Sequence, residues 1–221
     1  GKGGLADVIA IDTSSDVSVS YAIEPSSPTV TVESGKPIPS VSFVLKNNGT
    51  AVDAKWKVDR GEIGVIGVQT GVFTPTGAIG GTAKVTATVG TASFSTNVSV
   101  KLVTTQNGST AADAGSGNGG WGGVGGEGPG VSIDPSLIAV LSGQATTSAD
   151  FKWLYPYDKT VWPLGILPPL LQWSAPPSPV DAVYIRLSGA NFEYNGYFGR
   201  PALLAAGAAF VRHPIPQDVW K

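Results

Sequence analysis

The chain has 221 residues, and its 14 basic and 16 acidic side chains give a formal net charge of −2. This balance argues against a protein that binds the phosphate backbone of nucleic acids. The absence of cysteine excludes disulfides, thiolate-bound metals and a thiol nucleophile, and the single histidine, His213, excludes a site with two imidazoles. No run of apolar residues in the sequence reaches the roughly 18 that cross a bilayer.

Residues 1–16 are predicted to be an N-terminal extension. The chain contains no methionine, so we expect residues upstream of Gly1, and a cleaved secretory signal is the simplest hypothesis for them. On this hypothesis the protein is secreted or lies at the cell surface. Residues 5–19 are apolar without an obvious partner in the chain, which is typical of a segment that adds as a strand to another subunit's sheet edge.

Residues 17–105 are predicted to form an antiparallel β-sandwich. Apolar and polar residues alternate, as at residues 41–45 and 85–89, and β-branched residues are frequent. Turn-forming sequences such as Asn48-Gly49 separate these runs. Strands at this spacing, with no helical pattern between them, are typical of two packed sheets.

Residues 106–130 are predicted to be a flexible Gly-rich linker. Ten of the 16 residues from Gly115 to Gly130 are glycine, and such a segment loses too much backbone entropy on ordering to form a core. A phosphate-binding loop would need a preceding strand, a following helix and a Gly-Lys-Ser/Thr ending, and the sequence has none of these. Trp121 is the one aromatic residue of this Gly-rich segment. Its ring can dock on a neighbouring domain and so order the linker.

Residues 131–221 are predicted to form a second β domain. Residues 170–174 and 182–188 have the pattern of two central strands, and Asn195-Gly196 favours a tight hairpin turn. Residues 202–209 are rich in Ala and Leu, which favours one or two helical turns.

This second domain is predicted to be truncated. The strand count leaves the final strands of one sheet unaccounted for, and the sequence ends after an apolar Val219-Trp220 without a closing turn. An open sheet edge exposes unpaired backbone groups. We therefore expect that the native polypeptide continues past Lys221 or that another chain supplies the missing strands.

The best candidate for a functional surface is the aromatic run Trp153, Tyr155, Tyr157 and Trp162, with Trp121 as a separate interaction residue. Trp153, Tyr155 and Tyr157 alternate, which places them on one face of a strand and favours the wall of a core. Contact with another protein and stacking on sugar rings are the two functional alternatives, since these rings combine apolar faces with polar groups.

No residue is assigned to catalysis, to a cofactor or to a metal. His213 is predicted to lie on a strand at the surface or half-buried. Asp53, Asp59 and Glu62 are close in sequence, but their spacing matches no calcium-binding loop, so a solvated loop is favoured.

Three segments of the first domain carry a resemblance to a known family. They are Lys-Trp-Lys-Val-Asp at residues 55–59, Gly-Val-Phe-Thr-Pro at residues 71–75, and Gly-Gly-Thr-Ala-Lys-Val-Thr-Ala-Thr-Val at residues 80–89. Through them, residues 20–104 resemble the bacterial immunoglobulin-like domains of invasins and intimins. The resemblance implies a sandwich in which Trp56 fills the core between the sheets in place of a disulfide.

The second domain is similar to fibronectin type III domains. The similarity is carried by Leu-Gln-Trp-Ser-Ala-Pro-Pro at residues 171–177 and by Val-Tyr-Ile-Arg-Leu at residues 183–187. Both families serve mainly as spacers, stalks and adhesive modules outside the cell, which is what the resemblance implies for this chain.

The leading hypothesis is a non-catalytic, secreted or cell-surface bacterial protein with a structural or adhesive role. It predicts an all-β chain of two sandwiches joined by the Gly-rich linker. One alternative is a subunit of a self-assembling extracellular filament or sheath that uses strand addition. Another is a glycan-binding accessory region of a larger secreted hydrolase. The expected partners are other proteins or further copies of the chain, with a glycan as the alternative, and neither nucleic acid nor a membrane span is expected.

Overall fold

The computed structural model describes residues 20–109, 130–163, 165–175, 177–202 and 204–220. Strands dominate these residues and the two helices are short, so the predicted β-rich fold is confirmed. No helix in the described part is long and apolar enough to cross a membrane. The predicted N-terminal extension, most of the predicted linker and Trp121 lie outside the described residues.

Residues 20–101 form an N-terminal unit of three sheets. Its strands are β1 (Tyr21–Glu24), β2 (Thr29–Glu33), β3 (Val41–Ser42), β4 (Val44–Asn47), β5 (Thr50–Val52), β6 (Lys55–Val58), β7 (Gly64–Ile66), β8 (Val72–Pro75), β9 (Gly81–Val89) and the first part of β10 (Ala92–Asn107). One sheet contains β1, β4 and β5, and a second contains β3, β8 and β7. In the third sheet β10 lies between β9 and β2, and β6 pairs with the far edge of β9.

The core of the N-terminal unit draws side chains from all three sheets. Alternate residues of a strand point to one face, and in β9 the buried face carries Ala83, Val85 and Ala87. Trp56 of β6 is 5% exposed, and its ring centroid lies 6.2 Å from that of Phe43. The prediction that Trp56 fills the core is therefore confirmed.

Residues 130–220 form a C-terminal unit with its own core. Its elements are α1 (Pro135–Leu141), β11 (Trp153–Tyr155), β12 (Leu170–Trp173), β13 (Ala182–Gly189), β14 (Phe192–Gly199), β15 (Arg212–Pro214) and α2 (Gln217–Trp220). β13 and β14 form an antiparallel hairpin, and β12 lies between β11 and β15 in a separate sheet. The buried core consists of Leu171, Trp173, Ile185, Tyr194, Phe198, Phe210 and Ile215.

Two local predictions for the C-terminal unit are wrong, although β12 and β13 agree with the two predicted central strands. Asn195-Gly196 lies inside β14 instead of forming a hairpin turn. A Cβ atom on Gly196 would lie 2.4 Å from the Tyr194 hydroxyl oxygen, so glycine is needed here for packing. The described residues between 202 and 209 form turns and bends instead of helical turns, and Gly207 has a φ of +78°.

The long strand β10 connects the two units. Residues 92–100 pair antiparallel with β9, and residues 102–107 pair parallel with β14 along the same edge of β10. Residues 99–103 pair with β2 along the opposite edge. The predicted start of the linker is therefore wrong, because Gln106 and Asn107 continue β10 with β14 as their partner strand.

β15 lies at an edge of its sheet, and within the described residues it pairs only with β12. Near it, Trp220 of α2 is half-buried, and its Nε1 donates a hydrogen bond to the Ile166 carbonyl oxygen at 3.1 Å. The expectation that further strands complete this domain stays a prediction.

Candidate functional site

Exposed apolar side chains are concentrated in β11 and the loop that follows it. We call the surface formed by the described residues between 151 and 167 the aromatic surface. Its exposed members are Phe151, Trp153, Leu154, Tyr157, Val161 and Leu167. Among the described residues, all the aromatic side chains that are strongly exposed lie here. Grouped exposed apolar side chains are typical of a surface that contacts another molecule.

Three aromatic rings of this region and Trp220 of α2 form a row. The Tyr155 ring centroid lies 5.9 Å from that of Tyr157 and 5.8 Å from that of Trp162, edge to face in both cases. Trp162 in turn lies 6.1 Å from Trp220, again edge to face. Edge-to-face pairs are a favoured arrangement of aromatic rings, so the row is held in place by its own contacts.

Hydrogen bonds from two indole groups also hold these rings in place. Trp153 Nε1 donates to the Pro156 carbonyl oxygen at 2.7 Å, and Trp220 Nε1 donates to the Ile166 carbonyl oxygen at 3.1 Å. Both polar indole groups are thus satisfied within the chain. These rings therefore present mainly apolar surface to another molecule.

The prediction that the aromatic run forms the wall of a core is wrong for Trp153 and Tyr157, which are 50% and 74% exposed. β11 ends at Tyr155, so Tyr157 does not continue the alternation on which that prediction depends. Tyr155 and Trp162 are half-buried, and the structure brings them together with Tyr157.

Val161 and Leu167 belong to this surface and Trp220 borders it, but none of the three was predicted there from the sequence. The sequence gives little indication of their position, because their spacing matches neither the period of a strand nor that of a helix. The available clue is composition, since Pro156, Pro163 and the pair at residues 168–169 interrupt any strand in this segment. Apolar residues in such a loop have no sheet of their own to pack against.

Four charged side chains lie along the same stretch of chain. Asp150, Lys152, Asp158 and Lys159 are all exposed. None of the four forms an ion pair with another described residue. The aromatic surface therefore carries two acidic and two basic groups whose charges are available to a partner.

His213 on β15 is only 1% exposed, so its predicted surface or half-buried position is wrong. Its Nε2 accepts a hydrogen bond from the Gly130 N–H at 3.1 Å, so the neutral ring carries its proton on Nδ1, which donates to the Pro214 carbonyl oxygen at 2.7 Å. Burial lowers the pKa of His213 to about 4, although the hydrogen bond with Pro214 opposes the shift. At neutral pH this side chain is an uncharged link between β15 and Gly130.

Asp53, Asp59 and Glu62 are exposed, as expected for a solvated loop. Asp59 Oδ1 accepts a hydrogen bond from the Lys84 backbone N–H at 2.7 Å, and Glu62 Oε1 accepts one from Arg60 Nε at 2.8 Å. Hydrogen bonds from its own backbone and from Arg60 lower the pKa of Glu62. Within the ranges that the structure describes, no three His, Asp or Glu side chains group in a way that could hold a metal ion.

Comparison of the chain with protein-family models, with curated proteins and with solved structures returned no match. A functional argument for this protein therefore depends on the chemistry of its own surfaces.

Proposed function

We propose that the protein is a non-catalytic structural and adhesive protein, secreted or held at a bacterial cell surface, that adheres through its aromatic surface. The observation that carries this proposal is the concentration of exposed apolar side chains between residues 151 and 167. Water contact with apolar surface is unfavourable, so a contact that covers this patch gains free energy.

The proposal includes the two module types that the sequence resembles. An immunoglobulin-like sandwich in the N-terminal unit is supported by its single core, which contains Trp56. A fibronectin-type-III-like domain in the C-terminal unit is supported by β12 and β13, which place Trp173 and Ile185 in a shared core. Because strands of both units pair with β10 in one six-stranded sheet, strand pairing fixes the spacing of the two units, as suits a structural spacer.

The partner that we propose for the aromatic surface is a second copy of the protein. Two acidic residues, Asp150 and Asp158, and two basic residues, Lys152 and Lys159, are exposed beside it. In a two-fold-symmetric dimer a patch meets itself, so each acidic group can lie near a basic group of the other copy. A patch with charges of one sign would instead repel its own copy.

Sedimentation velocity over a range of protein concentrations tests this proposal. We expect the wild-type protein to dimerise and the double variant Tyr157→Ser/Val161→Ser to remain monomeric. These two side chains are 74% and 90% exposed, so their replacement removes apolar contact surface with little effect on the fold. The matched control is Val65→Ser, which replaces a 60% exposed apolar residue of the N-terminal unit and should dimerise like the wild type.

A wild-type protein that stays monomeric at every concentration would contradict self-association. If that monomer binds oligosaccharides on a glycan array and loses them on Tyr157→Ser, the glycan-binding alternative is favoured, since exposed rings can stack on sugars. If neither binding is seen, the adhesive role of the aromatic surface is wrong.

A second candidate function, a subunit of an extracellular filament, is favoured by β13. This eight-residue strand pairs with β14 along one edge and has no strand on its other edge within the described residues. Residues 5–19 are the segment that we propose adds to such an edge. Electron microscopy tests the idea: filaments that disappear when residues 1–19 are removed support it, and dispersed wild-type particles contradict it.

A further inference from the structure

The C-terminal unit contains a cavity of about 400 Å³, separate from the aromatic surface. It lies between residues 177–181, which precede β13, and residues 207–210, which precede β15. Its apolar wall includes Pro177, Pro179, Val180, Ala209 and Phe210. Cavities of roughly 300–1,000 Å³ with apolar walls and a few polar groups are typical sites for small ligands.

Arg200 places a guanidinium group in the wall of this cavity. Its Nη2 donates hydrogen bonds to the carbonyl oxygens of Ala208 at 2.7 Å and of Ala205 at 3.2 Å. Between them, Gly207 has a φ of +78°, a conformation that residues with a side chain rarely adopt. The guanidinium is therefore held in place before a ligand arrives, which reduces the entropy lost on binding.

No carboxylate among the described residues forms an ion pair with Arg200. The other charged residue of the wall, Asp181, accepts a hydrogen bond from the Arg200 backbone N–H through its own backbone carbonyl, at 2.9 Å. Asp181 is exposed and its charge is screened by water, whereas Arg200 is half-buried. The electrostatic preference of the cavity is therefore for an anion.

The remaining donors of Arg200 are available to an anion. Its Nε and Nη1 have no hydrogen-bond partner within the described residues. These N–H groups point to different sides of the guanidinium, so each can donate one charge-assisted hydrogen bond to an anionic oxygen such as that of a carboxylate. The walls beside it favour a small apolar group on the same ligand.

We infer that this cavity binds a carboxylate attached to a small apolar group, supplied either by a free organic acid or by the C-terminus of a peptide. The carboxylate pairs with Arg200, and the apolar group contacts Pro177 and Pro179. The inference does not depend on the proposed adhesive function, because none of these residues belongs to the aromatic surface.

Calorimetric titration and amide chemical shifts of the isotope-labelled full chain test this inference with benzoate and benzamide. The two probes have nearly the same shape, but only benzoate is charged. We expect benzoate to shift the amide signals of residues 178–181 and 207–210 and to bind at least about tenfold more tightly than benzamide. A tripeptide, acetyl-Ala-Ala-Phe, with a free or an amidated C-terminus distinguishes the sources: tighter binding of the free peptide than of benzoate identifies a peptide ligand, and the reverse identifies an organic acid.

Three variants separate the role of Arg200 from effects on folding. Arg200→Gln should weaken benzoate binding at least about tenfold and leave benzamide binding unchanged. Because Arg200 also holds residues 205–208, Asp181→Asn is the second variant: it removes the opposing charge without altering those hydrogen bonds and should strengthen benzoate binding. Arg186→Gln, at an exposed arginine of β13, is the matched control and should have no effect.

Several results would overturn the inference. They are equal affinity for benzoate and benzamide, no binding of either probe, chemical shifts confined to other segments, and unchanged benzoate binding in Arg200→Gln. Weaker benzoate binding in Asp181→Asn would also count against it, since the removal of a like charge cannot weaken a site that selects an anion.

Discussion

The two units bury their apolar residues to different extents. Among the described residues, the N-terminal core has 14 buried residues, three of them aromatic, whereas the C-terminal core has seven, four of them aromatic. Exposed large apolar residues of the N-terminal unit are spread over its sequence, but those of the C-terminal unit are mostly grouped between residues 151 and 167. A smaller core covers less of the apolar surface around it. The C-terminal unit is therefore the one that gains more from a partner.

The connection between the units differs from a simple tether. β10 passes from one to the other, and the turn between β13 and β14 lies against β10, where the Leu102 N–H donates to the Asn191 carbonyl oxygen at 3.0 Å. Long-range backbone pairing of this kind couples the two units more tightly than a Gly-rich segment does. Single substitutions in each core and at the junction measure how far the two units are independent.

The largest expected effect concerns the N-terminal core. Trp56→Ala removes a buried indole and should lower the free energy of unfolding by about 3–5 kcal/mol. Chemical denaturation followed by circular dichroism measures this change. Val65→Ala, at an exposed position of the same unit, should change it by less than about 0.5 kcal/mol. If Trp56→Ala and Val65→Ala unfold at the same denaturant concentration, the N-terminal core does not depend on Trp56.

The next effect is a pH dependence that originates in the C-terminal core. Unfolded His213 binds a proton near its ordinary pKa of 6.5, whereas the folded side chain, with its pKa lowered by burial, binds one only near pH 4. The unfolded state thus holds more protons between these values, so stability that is full above pH 6.5 is lost as the pH falls toward 4. The free energy of unfolding falls by roughly 3 kcal/mol over this pH range.

Thermal unfolding at a series of pH values between about 7 and 4 measures this loss. His213→Gln is the matched variant, because its side chain can still accept the Gly130 hydrogen bond but does not titrate. The variant should show a flatter dependence of melting temperature on pH. A slope identical to that of the wild type would mean that other groups cause the acid sensitivity.

A smaller effect is expected at the junction of the two units. A Cβ atom on Gly80 would lie 2.2 Å from the Asn191 carbonyl oxygen and 3.1 Å from the Val100 carbonyl oxygen. Both contacts are with backbone, which cannot move aside as a flexible side chain does. Gly80→Ala should therefore lower the free energy of unfolding by about 1–3 kcal/mol. Gly61→Ala is the control, since nothing lies within 4 Å of the added atom.

Amide hydrogen exchange locates this effect. Exchange at residues 102–107, which pair with β14, should become faster in Gly80→Ala and stay unchanged in Gly61→Ala. Equal exchange in both variants would show that the junction tolerates the displacement of the turn.

The smallest expected effect is on an ion pair across the same junction. Glu193 accepts hydrogen bonds from Lys101 Nζ at 2.8 Å and from Arg186 Nη2 at 3.3 Å, and the hydrogen bonds of Lys101 and Asn195 lower the pKa of Glu193. Glu193→Gln should lower the melting temperature only slightly, because ion pairs near the surface are weak. The difference should disappear in concentrated salt, and a difference that persists would indicate a packing role instead.

Predictions made from the sequence succeeded where a local pattern is sufficient. The strand β13 follows from alternating apolar residues and β12 from a short apolar run, whereas the burial of Trp56 was implied by the resemblance to immunoglobulin-like domains. Predictions failed where a pattern has two interpretations. Asn195-Gly196 is a turn signal in isolation, but β14 keeps it extended because β13 and β10 pair with it on both edges.

The candidate site shows the same limit. The aromatic run was identifiable because four rings occur within ten residues, but alternation alone assigned Trp153 and Tyr157 to a core. Whether an apolar residue is buried depends on what packs over it. β11 has only β12 beside it in the described part, and the chain leaves the strand after Tyr155.

The alternation of apolar and polar residues was sufficient to predict several strands, such as β9 and β13, since side chains alternate along any extended backbone. The continuation of β10 into the second unit, the burial of His213 and the exposure of the aromatic surface depend instead on long-range packing. The physical reason is distance along the chain. Pairs such as Leu102 with Phe192 and Gly130 with His213 join residues that no local window contains together, and burial follows from those pairings.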